Sequence, residues 1–324
     1  MFNNPAALGA IGLAVMLVRV APDACAQTLN GPRTLAEAEL SAFGTSTESH
    51  IGLSPLSLSL APGQDAPATA TTAPASTEIT PTSTADAADL AKQLNNPVAS
   101  LISVPFQFNA DFGYGEDDDG FRLTLNVQPV IPIKINDEWT IISRTILPII
   151  YQEDVVGEGD EFGLGDTIQS FFLSPAKPGK WIWGAGPAFL LPTATDDVLG
   201  TEKFGLGPTG LVLRQHDGWT YGMLANHICS VAGDDDRADV NATFLQPFLS
   251  YTTPKAFTLG VNLESTYDWE AEQWTVPINV FASQLVKLGH QPVSFTAGVR
   301  YYAESPDGGP EWGLRFVVTL LFPS

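Results

Sequence analysis

From residue 101 onward, apolar and polar positions alternate with a period of two, the spacing of strands that bury one face. Phe106, Phe108, Ala110, Phe112 and Tyr114 are interleaved with Gln107, Asn109, Asp111 and Gly113. Phe121, Leu123, Leu125 and Val127 alternate with Arg122, Thr124, Asn126 and Gln128, and Phe257, Leu259, Val261 and Leu263 with Thr258, Asn262 and Glu264. Toward the end, Val293, Phe295, Ala297, Val299 and Tyr301 oppose Ser294, Thr296 and Arg300, and Trp312, Leu314, Phe316, Val318, Leu320 and Phe322 oppose Arg315 and Thr319. Together these runs predict 12 strands, near 101–114, 121–132, 139–151, 163–174, 181–192, 204–214, 219–231, 240–252, 256–268, 274–287, 292–302 and 312–322. The third, fourth, eighth and tenth alternate poorly. Strands of soluble proteins average about 5–6 residues. Runs of 10–14 residues in even number are what a tilted, bilayer-crossing barrel needs. The predicted fold is all-β, a 12-stranded antiparallel transmembrane β-barrel behind a flexible N-terminal segment.

That segment divides further. Residues 6–18 form a 13-residue apolar run followed by Ala24-Cys25-Ala26, which reads as a signal peptide over 1–26. A lipidated Cys25 is disfavoured by Pro22 and Asp23. Residues 27–88 read as a periplasmic linker of low complexity, with one helical candidate at Thr34–Phe43 and a stretch from 61 composed almost wholly of Ala, Pro, Thr, Ser, Asp and Glu. Helix formers over 85–95, with Leu90 and Leu94 four apart and Pro97 beyond, predict a short helix within an 89–100 segment. It either lies on the surface or docks in or beneath a pore. The barrel takes 101–324. No other stretch reaches 18 consecutive apolar residues, so no transmembrane helix is predicted; a closed barrel satisfies its backbone in lipid equally well.

Charge sharpens this picture. With 36 acidic and 15 basic side chains the formal net charge is −21, which excludes a nucleic-acid partner. The acids are not spread evenly. The odd-numbered connections (115–120, 152–162, 193–203, 232–239, 269–273, 303–311) hold 21 acids against Lys203 and Arg237, whereas the even-numbered ones hold four Lys and three acids. One rim thus carries nearly all of the charge, and a single miscounted strand would scramble the sorting. Aromatics at strand ends (Trp139, Tyr151, Trp181, Trp183, Trp219, Tyr251, Tyr267, Trp274, Tyr301, Trp312, Phe322) fit two interfacial girdles.

Candidate chemistry is sparse. Gly115–Gly120 and Gly233–Arg237 are acidic loops without the carboxylate spacing of an EF-hand, so no metal site is assigned. Two cysteines, Cys25 and Cys229, are too few for a disulfide framework or a Cys-based zinc site. Gly163-Leu164-Gly165 and Gly205-Leu206-Gly207 begin strands and are not nucleotide loops, and no cofactor is expected. The Asn241-Ala242-Thr243 sequon falls inside a strand. His227-Ile228-Cys229-Ser230 is the one nucleophile-like cluster, but Ser230 lies three residues from His227 and projects to the other face, so no serine–base pair forms locally. On the polar face, Asp111, Arg122, Arg300 and Arg315 fall near one end of four strands that closure makes neighbours, with Glu264 and Asp268 close to that level. These six are the candidate luminal constriction, and Asp111 is expected between Arg315 and Arg122.

From Asp89 to Pro323 the chain resembles the outer-membrane β-barrel "transporter" family, filed as putative meta-pathway of phenol degradation proteins and sometimes mislabelled neuromedin U. The resemblance is carried by NPVASLISVPFQFN (96–109), GLGD (163–166), FLLPTATD (189–196), SVAGDDDRADVNATFLQPF, STYDWEAEQWTVPIN (265–279) and the C-terminal GVRYYAESPDGGPEWGLRFVVTLLFP. It implies a barrel in the cell outer membrane with a transport role and no catalytic residues. The expected function is passage of small organic molecules, aromatic ones among them, or of ions. The expected partners are outer-membrane lipids, the barrel-assembly machinery and the solute. The alternatives are a structural or adhesive barrel with a filled lumen and, third, an outer-membrane hydrolase.

Overall fold

The computed structural model describes residues 84–115 and 117–323. The signal peptide, the helical candidate at Thr34–Phe43 and the linker as far as residue 83 lie outside the described residues. Within them, one helix, α1 (Thr84–Leu94), precedes twelve staves of a closed antiparallel barrel. The staves are β1 (Ile102–Tyr114), β2 (Gly120–Val127 and Val130–Lys134), β3 (Trp139–Glu153), β4 (Asp160–Leu164 and Thr167–Pro175), β5 (Ile182–Leu191) and β6 (Lys203–His216). The second half comprises β7 (Trp219–Gly233), β8 (Asn241–Thr252), β9 (Phe257–Leu263 and Ser265–Asp268), β10 (Gln273–Thr275 and Pro277–Leu288), β11 (Gln291–Tyr302) and β12 (Trp312–Phe322). Closure is direct, because Phe106 of β1 faces Val127 of β2 on one side and Val318 of β12 on the other. The strand ends match the alternation closely, and the helix begins at Thr84, inside the stretch assigned to the linker.

Four staves are broken where the sequence withholds a ladder group or a side chain. Pro129 interrupts β2, Gly165-Asp166 interrupts β4, and β10 breaks before Pro277, whose carbonyl accepts the N–H of Glu264 at the break in β9 (3.1 Å). The tight Asp217-Gly218 turn between β6 and β7 has both residues at positive φ, 49° and 84°, as a two-residue hairpin matched to strand twist requires.

The outer face is apolar. Leu206, Leu249, Leu259, Val280, Val299, Leu314 and Phe316 are all exposed around the wall, the arrangement of a lipid-facing band. Aromatic pairs stand toward both ends: Trp219 with Tyr251 (centroids 5.0 Å apart) at the end that carries α1, and Tyr267 with Trp274 (4.9 Å) at the other.

The inner face is not uniformly polar. Val98, Ile142, Phe172, Leu211, Leu213 and Leu224 form one buried cluster inside the barrel, with Phe244 and Phe248 packed on it. Apart from Val98, which precedes β1, these residues come from strands between β3 and β8. The strands that alternate poorly are therefore ones whose luminal positions are apolar as well. Their neighbours β11, β12, β1 and β2 keep a polar luminal face, so the lumen has an apolar half and a polar half.

α1 closes the end from which β1 starts. Its Ala87, Leu90, Ala91 and Leu94 pack against Leu101, Ala256, Leu285 and Leu321. The Gln215 side chain donates to the Lys92 carbonyl (2.7 Å), tying the helix to β6. Residues 95–101 then turn into the lumen, where Val98 joins the apolar cluster. Full burial of such a side chain contributes about 1.5–3 kcal/mol, so Val98 and Leu101 anchor this segment more firmly than its polar contacts do.

Candidate luminal site

Near the end opposite α1, the polar half converges in a layer of charge. Arg315 of β12 sits between Gly298 of β11 and Asn109 of β1. Its Nε donates to Asn109 Oδ1 (2.8 Å), and with no side chain at Gly298 its fork reaches across to Glu264, bidentately, at 2.8 and 2.7 Å. A planar guanidinium matches a carboxylate in this way where an ammonium could not. Glu264 can be met there because the break in β9 sets its backbone off the regular ladder.

One level further toward the rim, Arg300 of β11 and Asp111 of β1 are both opposite Gly313 of β12. Arg300 Nη1 donates to Asp111 Oδ2 at 3.3 Å across that glycine. A Cβ at Gly313 would overlap Asp111 Oδ1, so a side chain here is incompatible with the pair. Tyr302 lies under the Arg300 guanidinium, 5.4 Å from ring centroid to Cζ, and Tyr114 likewise under Arg122 at 4.9 Å. Arg122 donates through Nε to Gln152 Oε1 (2.9 Å), and Gln152 to Glu161 (3.1 Å), carrying the polar row toward β4. Asp111, Arg300 and Arg315 are all buried, so this layer fills the polar side of the lumen with side chains.

Of the six residues predicted for a constriction, Asp111, Glu264, Arg300 and Arg315 meet in this layer, and Arg122 flanks it. The pairing differs from expectation: Asp111 takes Arg300, while Arg315 takes Asn109 and Glu264. Asp268 does not join them. It is exposed, and its Oδ1 accepts the amides of Glu270 and Ala271 (2.9 and 3.2 Å), capping its own turn.

Beneath the layer lies a chamber of ≈ 480 Å³. Arg315 and Glu264 border it toward the rim, and Gln128, Arg144, Gln246 and Asn262 toward α1. The same four residues border a smaller cavity of ≈ 260 Å³ that the 93–101 segment closes from below. Arg144 escaped the sequence reading. Its signal was available, since it is the single charge between Trp139 and Gln152 in a membrane-spanning strand, where a charge is costly unless used.

The acidic rim is also organised. Asp166, in the β4 break, accepts the Thr201 amide and hydroxyl (2.6 Å each) and the Ala194 amide (3.2 Å). Thr195 Oγ1 accepts the Leu164 amide at 3.0 Å, so the GLGD and PTATD motifs are two halves of one clasp. Arg237 donates to the carbonyls of Asp197 and Gly200 (2.6 Å each), binding the neighbouring loop to it. In the 193–203 loop the Glu202 carboxyl titrates above its ordinary range, chiefly through its hydrogen bond with Asp197.

His227 and Ser230 project to opposite faces. His227 Nδ1 lies 2.8 Å from Thr243 Oγ1, which also receives the Trp269 indole N–H (2.8 Å), and Nε2 lies 3.2 Å from Cys229 Sγ. Ser230 Oγ instead donates to Asp239 (3.2 Å) and accepts from the Val240 amide (3.1 Å).

No protein-family model matches the chain, and no curated protein matches it in sequence. Among solved structures it is similar to the COG4313 outer membrane channel from Pseudomonas putida F1, with a TM-score of 0.54 and 14% identity over 69% of this chain and 96% of that one. Looser likenesses are to outer membrane phospholipase A from Escherichia coli (TM-score 0.37, 12% identity, 74% and 98% of the two chains) and to Pseudomonas putida OprB (0.30, 9%, 71% and 95%). At these identities the first likeness shows the fold, a barrel of the outer-membrane kind.

Proposed function

We propose that this chain is an outer-membrane channel for small organic molecules or ions, of the transporter kind its sequence resembles. It is closed at rest by side chains at one end and by α1 with its following segment at the other. The observation that carries the reading is the chamber of ≈ 480 Å³ in the lumen, bordered by Arg315 and Glu264 toward the rim and by Gln128, Arg144, Gln246 and Asn262 toward α1. Salt bridges and amides can exchange partners with water or solute, whereas a lumen built only for rigidity would be filled throughout. The acidic rim faces outward and α1 faces the periplasm in this reading. The burial of Asp111, Arg300 and Arg315 favours, as a second reading, a structural barrel whose lumen never opens. A hydrolase reading has weaker support, since Ser230 and His227 are on opposite faces.

The test is conductance of the full chain in a planar bilayer, beside Arg300→Ala with Arg315→Ala. A gated channel gives small wild-type steps and larger ones in the double variant, with altered solute preference. A folded barrel silent in both forms would support the structural reading.

A further inference from the structure

Arg144 stands outside the ion pairs of the lumen. Asp111 and Glu264 are engaged by Arg300 and Arg315. Arg144 has no carboxylate within 4.0 Å among the described residues. Its one side-chain partner is the neutral Gln128, reached from Nη2 at 3.2 Å. It is placed on the shelf between the two cavities and faces both. A guanidinium with five donors and a single amide acceptor is an under-used cation, held inside a barrel where each buried charge wants a counter-charge.

What surrounds it is equally specific. Around the same chamber the half-buried Ile146, Ile168, Val240 and Phe244 present apolar surface, backed by the buried Phe172, Leu190, Leu224 and Ile228. Barrel lumens are ordinarily polar, and an apolar wall facing water has no stabilising role of its own. An arginine opposite an apolar wall, fringed by amides, in a chamber of ≈ 480 Å³ within the usual size range of ligand pockets, about 300–1,000 Å³, has the layout of an amphipathic-anion site.

We propose that the chamber binds a small organic monocarboxylate, its carboxylate on Arg144 and its apolar body against Ile146, Ile168 and Phe244. A single planar fork selects one carboxylate rather than a phosphate or a dianion, which would call for further cations. The proposal deepens the channel reading, and rests on it only for the claim that this ligand is also the solute.

The probe is benzoate, with benzamide as its neutral isostere. Binding is measured calorimetrically on the full chain in detergent micelles, with heat-shifted gel mobility to verify folding, and conductance is measured separately in bilayers. The wild type is expected to bind benzoate about 10- to 100-fold more tightly than benzamide, as a charge-assisted bidentate contact implies. Arg144→Gln should erase that ratio, and Arg144→Lys should keep part of it. Equal affinity of the wild type for the two probes overturns the site without any variant. An undiminished ratio in folded Arg144→Gln overturns it by placing the anion elsewhere. Arg144-dependent binding in a barrel that conducts nothing would support the site and remove the channel reading; conductance without benzoate preference would do the reverse.

Discussion

Replacing Arg315 by Met isolates the strut that spans the lumen. The substitution keeps most of the apolar stem and removes three charge-assisted hydrogen bonds, two to Glu264 and one to Asn109. At about 1.5–3 kcal/mol each these would sum beyond any plausible single effect. The better guide is the cost of stranding one member of a buried pair, about 3–5 kcal/mol. The Glu264 side chain retains 18% exposure to the lumen, so water can take up part of the loss and the lower end is expected. Arg315→Met with Glu264→Gln leaves no stranded charge and should be only slightly less stable than wild type. The coupling between the two positions is then about 2 kcal/mol, well outside the additivity of independent sites. Urea unfolding in lipid vesicles, followed by tryptophan fluorescence, reads all four corners of the cycle. The same variants should show larger single-channel steps. Effects that add within about 0.5 kcal/mol would refute the strut, whatever the conductance.

Gly313→Val should lose about 1–3 kcal/mol and displace the Asp111–Arg300 pair, since even its Cβ overlaps Asp111; unchanged unfolding would mean that the pair does not sit across this glycine. Leu90→Asp with Leu94→Asp should unseat α1 and raise conductance, and unaltered conductance would make the helix a bystander. An open channel should favour cations at low salt through the acidic rim and drift toward anions as salt screens the rim more than the luminal arginines; anion preference already at low salt would give the lumen control throughout. Protease added to intact cells should cut within 193–203 and 303–311 and spare 175–180, and the reverse pattern would invert the barrel.

The period-two pattern carried the strand positions because lipid outside and water inside impose opposite demands on alternate residues. It weakened in β3, β4, β8 and β10 for one physical reason: Ile142, Phe172, Phe244 and Leu285 are apolar on the luminal face, so both faces look alike. That loss of contrast was itself the trace of the apolar wall. Four residues of the charged layer were legible because charge within a strand is rare, but their pairing was not. It depends on Gly313 and Gly298, whose role is to be absent as side chains, and on the break at Glu264, none of which a repeat pattern registers. Asp268 obeys the same parity and is diverted by its own turn amides, a local competition that strand spacing does not see.

The charged layer of the lumen also joins the first and last strands of the barrel. Its contacts Arg300–Asp111 and Arg315–Asn109 connect residues 189 and 206 positions apart, linking the last two strands to the first. Every other stave can pair with its predecessor as it emerges; these contacts wait until the final hairpin meets β1. Such distant contacts are the slow ones in any folding sequence, because the loop must close before they form. A sheet still open along this edge would therefore leave Asp111, Arg300 and Arg315, charges of both signs, without their partners across the seam, poorly suited to lipid and poorly suited to pairing with a stranger's strand. Only the chain's own opposite edge offers the complementary order of Arg, Gly, Asp and Asn, so the same few residues that narrow the passage would serve as the latch by which the cylinder recognises itself.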